Sequence, residues 1–74
     1  MKTTILYVNW DDSSHCEMEY DGRAEFKCDH LWINAPEGFV NVAVFDDDKW
    51  LVFDDDTEGP VFVATDVIIL SMEK

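Results

Sequence analysis

The chain predicts an all-β fold, a small antiparallel sheet or curled barrel of about five to six short strands. Three observations lead there. Val, Ile, Phe, Tyr and Trp gather in short runs, and those runs are separated by turn-forming residues. Within several runs apolar and polar residues alternate with period two, as a half-buried strand requires. Hydrophobic residues make up 47% of the 74 positions, too many for a disordered acidic tail. The alternative is an α+β fold with one short helix near residues 15–30 or at the C-terminus. A chain of this length reads as one domain, residues 1–74, with a limited core.

Thr3 to Trp10 comes first, with Ile5 and Tyr7 alternating against Leu6, Val8 and Trp10. It is apolar on both sides and suits a central strand. Asp11-Asp12-Ser13-Ser14 is a turn. In HCEMEYDGRAEFKCDH, Cys16, Met18 and Tyr20 alternate with Glu17, Glu19 and Asp21. After Gly22 the pattern resumes as Ala24, Phe26 and Cys28. Period two predicts a hairpin, and a loop over Asp21 to Arg23 sets Tyr20 opposite Ala24, Met18 opposite Phe26 and Cys16 opposite Cys28. A helix competes here, because Cys16, Tyr20, Ala24 and Cys28 also stand at i,i+4 spacing. Leu31-Trp32-Ile33 is a short strand or the continuation of this one, and Asn34-Ala35-Pro36-Glu37-Gly38 ends it.

The stretch that organises the chain is Phe39 to Asp56, FVNVAVFDDDKWLVFDDD. A loop over Asp46 to Lys49 sets Phe45 opposite Trp50, Val44 opposite Leu51 and Val42 opposite Phe53. Val40, Val42, Val44, Leu51 and Phe53 then share the expected core face. Asn41, Ala43, Phe45, Trp50, Val52 and Asp54 share a mixed one. After Thr57-Glu58-Gly59-Pro60 the chain continues as Val61 to Ala64, is interrupted at Thr65-Asp66, and resumes as Val67 to Met72. Thr65 would cap a short terminal helix, but Val-Ile-Ile favours a strand. The ending VFVATDVIIL resembles the close of an SH3-like barrel, where a one-turn interruption precedes the last strand. The likeness covers about ten residues and implies nothing about peptide binding.

The charge is extreme: 17 Asp and Glu against five Lys and Arg, net −12. Phosphates are bound by Lys and Arg, so the balance argues against direct binding to nucleic acid or to an anionic membrane surface. It favours basic proteins, cationic ligands or divalent metals. No apolar run approaches the ~18 residues of a membrane span, and MKTTILYVNWDD lacks a small-residue cleavage site. The expectation is a cytoplasmic, intracellular protein with reduced cysteines.

The acids are clustered: Asp11-Asp12, then Glu17, Glu19 and Asp21 with Glu25 and Asp29, then Asp46-Asp47-Asp48, then Asp54-Asp55-Asp56 with Glu58. Alternate positions on a strand lie about 6.7 Å apart, close to the spacing of successive backbone phosphates. Such an array suits the Lys/Arg groove that another protein uses for DNA. In size and charge the chain resembles DNA-mimic inhibitors, many of them small acidic phage proteins that block CRISPR, restriction, repair or transcription machinery. Phe45 and Trp50, beside the Asp46–Asp48 loop, are candidate anchors. The expected partner is therefore a basic nucleic-acid-binding protein or complex. The competing reading is an acidic interaction module, an accessory subunit or homodimer, that works through an apolar face.

Other chemistries have weaker footing. Asp54 to Gly59 matches the first half of a calcium loop, but position twelve would be Thr65, where the EF-hand needs Glu. His15-Cys16 and Cys28-Asp29-His30 supply two Cys and two His without a C-x-x-C knuckle. The expectation there is two buried thiols among Met18 and Phe26, with no metal and no cofactor. A nucleophile motif and a Gly-rich phosphate loop are both missing, so no catalytic residues are assigned and the protein is not expected to be an enzyme.

Overall fold

The computed structural model describes residues 1–53 and 59–73. Seven strands follow in order: β1 (Lys2–Asn9), β2 (His15–Asp21), β3 (Arg23–Lys27), β4 (His30–Ala35), β5 (Gly38–Asp46), β6 (Lys49–Phe53) and β7 (Pro60–Glu73). All neighbours are antiparallel, and the sheet runs β2-β1-β7-β6-β5-β4-β3. It curls into a half-barrel. The all-β expectation holds, with seven strands rather than five or six, and no helix occurs among the described residues, at 15–30 or towards the C-terminus.

β7 is the spine. Its first part pairs with β6 and its second with β1, and Ala64 faces Trp50 on one side and Asn9 on the other. Directly after this changeover Thr65 is left out of the ladder, because Asn9 pairs with Ala64 and Val8 with Asp66. The interruption expected at Thr65-Asp66 is thus a β-bulge inside one 14-residue strand, not a break between two. A bulge bends the strand and raises its twist, which lets β7 serve both ends of a curled sheet.

β2 and β3 do not form the expected hairpin. β2 pairs with β1, and Met18 faces Ile5; β3 pairs with β4, and Phe26 faces Leu31. The two strands lie at opposite edges of the sheet and are joined only through Gly22. Period-two alternation fits either arrangement, since it reports which face a residue takes and not which strand it pairs with. At Gly22 the two edges meet. Its N–H donates to the Met1 carbonyl at 2.8 Å, and the buried Thr3 hydroxyl donates to its carbonyl. Its φ is +147°, and an added Cβ would lie 2.6 Å from the Asn34 carbonyl oxygen and 2.7 Å from Ile33 Cγ2. Only glycine fits this corner.

The central hairpin has the expected register, with Phe45 opposite Trp50 and Val44 opposite Leu51. Its core face is the expected one at Val42 and the other one at Ala43 and Val52. Leu31 pairs with Ala43 but Trp32 with Asn41, so Val42 is bulged out of the β4–β5 ladder. Parity reverses at that point. Val42 and Ala43 are both buried, Val52 joins them, and Val44 and Leu51 lie half-buried on the convex side.

The core lies on the concave side and comprises Ile5, Tyr7, Ala24, Leu31, Ile33, Val42, Ala43, Val52 and Ala64. Tyr7 is its largest fully buried side chain, and its hydroxyl bonds the Tyr20 hydroxyl at 2.7 Å. Burial pushes the Tyr7 phenol far above its ordinary value, and the Tyr20 hydroxyl adds to the rise.

Two outcomes follow for stability. Gly22→Ala should lower unfolding free energy by about 3 kcal/mol, from overpacking and backbone strain, read as a fall in urea midpoint at constant slope. An unchanged midpoint would remove Gly22 from its role as the corner. Tyr7 has a raised folded pKa, so the stability that depends on its proton is complete below the unfolded phenol value of about 10 and is lost as pH rises beyond it. The urea midpoint should therefore drop above about pH 10, and the drop should be smaller in Tyr7→Phe. Equal alkaline losses in the two proteins would contradict this.

Candidate functional site

Two strand connections, β3–β4 and β5–β6, lie together along one rim at one end of the sheet, whereas the β1–β2 turn leaves at the other end because β1 and β5 run in opposite directions. The β1–β2 turn contains Asp11 and Asp12, the β3–β4 turn Cys28 and Asp29, and the β5–β6 turn Asp47 and Asp48 next to Asp46. The Phe45 N–H donates to the Asp29 carbonyl at 2.7 Å, which holds the second turn beside the third. Trp10 N–H donates to the Val63 carbonyl at 3.0 Å, and Lys49 Nζ lies 5.8 Å from the centre of the Trp10 ring. These contacts tie Trp10 to β7 and to the Lys49 side chain.

The turns are rigid for local reasons. In the first, Asn9 Oδ1 accepts from the Asp11 N–H at 2.8 Å, and Asp12 Oδ1 accepts from the Ser14 N–H at 2.9 Å. The bonds from Ser14 lower the Asp12 pKa. Cys28 and Asp29 have φ of 47° and 64°, and Asp47 and Asp48 have 51° and 64°. Consecutive left-handed residues in a two-residue connection make type I′ turns, for which Asn-Gly is the relaxed choice. Asp at both central positions keeps the shape and adds two carboxylates. Lys49, half-buried, lies 3.8 Å from the exposed Asp47, a pairing that offsets little of this charge.

Aromatic rings stand beside the rim. Trp50 packs against Phe26 at 5.8 Å and Phe45 at 5.3 Å between centroids. Phe26 is 52% exposed and Phe45 36%, so the cluster presents apolar surface next to Asp29 and Asp46. Trp50 itself is half-buried against the core. Phe45 and Trp50, the expected anchor residues, both belong to this cluster. Phe26 was expected to pack on Met18 and instead completes the cluster. Its place depends on β3 pairing with β4, which alternation alone does not reveal.

The second acidic row is divided. Glu17, Glu19 and Asp21 are exposed at alternate positions of the edge strand β2, opposite Leu6, Thr4 and Lys2. Lys2 Nζ reaches Glu19 at 3.5 Å. Glu25 is on β3, half-buried opposite Trp32, and does not continue that row. Asp29 belongs to the rim. Asp54, Asp55, Asp56 and Glu58 lie outside the described residues.

Cys16 and Cys28 are both exposed free thiols, contrary to the buried facing pair expected from the hairpin. Cys16 stands opposite Tyr7 on β2 and Cys28 sits in the β3–β4 turn, because the strands that carry them do not pair. Among the described residues no three His, Cys, Asp or Glu side chains are grouped to hold a metal ion, and no helix is long and apolar enough to cross a membrane. No protein-family model, curated protein or solved structure matches the chain.

Proposed function

We propose that this protein binds the positively charged nucleic-acid site of another protein and blocks it as a DNA mimic. The supporting observation is the rim: Asp29, Asp46, Asp47 and Asp48 on two adjoining turns, beside the exposed rings of Phe26 and Phe45, with Asp11 and Asp12 as further exposed acids on the β1–β2 turn. Fixed carboxylates reproduce the attraction that a phosphate backbone offers to Lys and Arg. The aromatic cluster adds a desolvated anchor of the kind that dominates binding energy. Asp47 and Asp48 occupy left-handed positions where Asn-Gly would be more relaxed, a strain consistent with selection for charge at that turn. Glu17, Glu19 and Asp21 extend the negative surface along β2, and Asp54–Asp56 with Glu58 are further candidates by charge. The target is a basic nucleic-acid-binding protein or complex inside the cell. An anti-defence role of the anti-CRISPR or anti-restriction type, encoded by a phage, fits this action.

A second reading rests on the convex face. Val44, Leu51 and Val63 are in register across β5, β6 and β7, and Ile68 and Leu70 of β7 are exposed. In that reading the protein is an accessory subunit or homodimer whose contact is apolar.

The test is capture from a host lysate at low salt followed by elution with duplex DNA. The expected result is a basic nucleic-acid-binding protein in the DNA eluate. The combined variant Asp11→Asn, Asp12→Asn, Asp46→Asn, Asp47→Asn and Asp48→Gly keeps turn-forming residues. It should be at least as stable as the parent and should bind that target about a hundredfold more weakly. Undiminished binding by this folded variant, or a partner that resists both DNA and high salt, would overturn the proposal in favour of the convex face.

A further inference from the structure

The far ends of the strands enclose a second feature. A cavity of about 320 Å³ lies among Met18, Ile33, Val40, Val42 and Phe53, with Asp21 and Glu37 also on its wall. On each contributing strand these residues lie away from the acidic rim: Met18 and Asp21 late in β2, Ile33 late in β4, Val40 and Val42 early in β5, and Phe53 at the end of β6. The cavity is thus separate from the two rim turns, and it shares Asp21 with the acidic row of β2. Its volume falls in the range of small-molecule sites, and it combines apolar walls with a few polar groups, as such sites do.

Its chemistry is one-sided. Among the described residues, Asp21 and Glu37 are the only carboxylates on the wall, and neither Lys nor Arg lines it. The Tyr20 hydroxyl, also at the wall, is engaged by Tyr7 and lies 3.5 Å from Met18 Sδ. An anion would meet two negative charges there. A neutral apolar molecule would draw no attraction from the two carboxylates, which are exposed to water. We propose that this cavity binds an organic cation, a guanidinium or ammonium head on a short aliphatic stem. The stem lies against Met18, Ile33 and Val42, and the head is attracted to Asp21 and Glu37. The net charge of −12 reinforces the selection of a cation.

The probes are n-butylguanidinium, its neutral near-isostere n-butylurea, and Nα-acetyl-arginine amide, titrated into the isotopically labelled protein by NMR. Butylguanidinium should give saturable shifts at the Met18, Ile33 and Val42 methyl groups, and butylurea should not saturate. Asp21→Asn and Glu37→Gln should each weaken binding about threefold, and the two together about tenfold. Val40→Phe, which fills space at the wall, should abolish the shifts in a folded protein. Tighter binding of the blocked arginine than of butylguanidinium would identify a protein side chain as the source of the cation. The reverse order would identify a free small molecule, and both outcomes support the site. Equal binding of butylurea, or shifts confined to the rim turns, would overturn it. None of these readouts depends on the identity of the rim's partner.

Discussion

The corner at Gly22 is the constraint on which the rest of the structure depends. There the chain leaves one edge of the sheet and enters the other, with the Met1 carbonyl and the Thr3 hydroxyl meeting its backbone groups. An open seven-stranded sheet of this length would leave one apolar face in water. Curling brings β2 over the β4–β5 surface and makes an inside, where Thr3, Ile5, Tyr7, Leu31, Ala43, Val52 and Ala64 are fully buried. The bulges at Val42 and Thr65 supply the local bending that a flat ladder lacks.

The same curl positions the candidate site. Once β7 passes from β6 to β1 at Ala64, the end of β1 is brought across β7 from the start of β6, and Lys49 reaches the Trp10 ring. The pairing of β4 with β5 sets Asp29 beside the β5–β6 turn. Negative charge is thereby concentrated in tight turns with little neutralisation: Lys49, half-buried, and Lys2, exposed, make the ion pairs seen among the described residues. Repulsion among these acids costs stability, which a small core offsets with little to spare. A surface kept at that cost is what a mimic of a polyanion requires.

Much of this was legible in the sequence, and what was not has a physical reason. The register of Phe45 with Trp50 could be read because a tight turn and side-chain parity determine it together. The core face of that hairpin could be read at Val42 but not at Ala43 and Val52, because the bulge at Val42 reverses parity without a Gly or Pro to mark it. Asp21-Gly22 reads as a turn, yet Gly22 is a bend between strands that separate, and only contacts with Asn34 and Ile33, distant in sequence, decide it. The exposed row Glu17, Glu19 and Asp21 was read correctly, since alternation alone specifies it. Phe26 was missed as a rim residue because its neighbours come from β4 and β6.

The most direct test of the central claim is a hydrogen-exchange footprint of the protein in complex with its captured target. Protection at residues 28–30 and 45–50, with the convex segment 66–71 unchanged, is the predicted result. Protection of 66–71 with the two rim turns still exchanging freely would contradict the account and place the function on the apolar convex face.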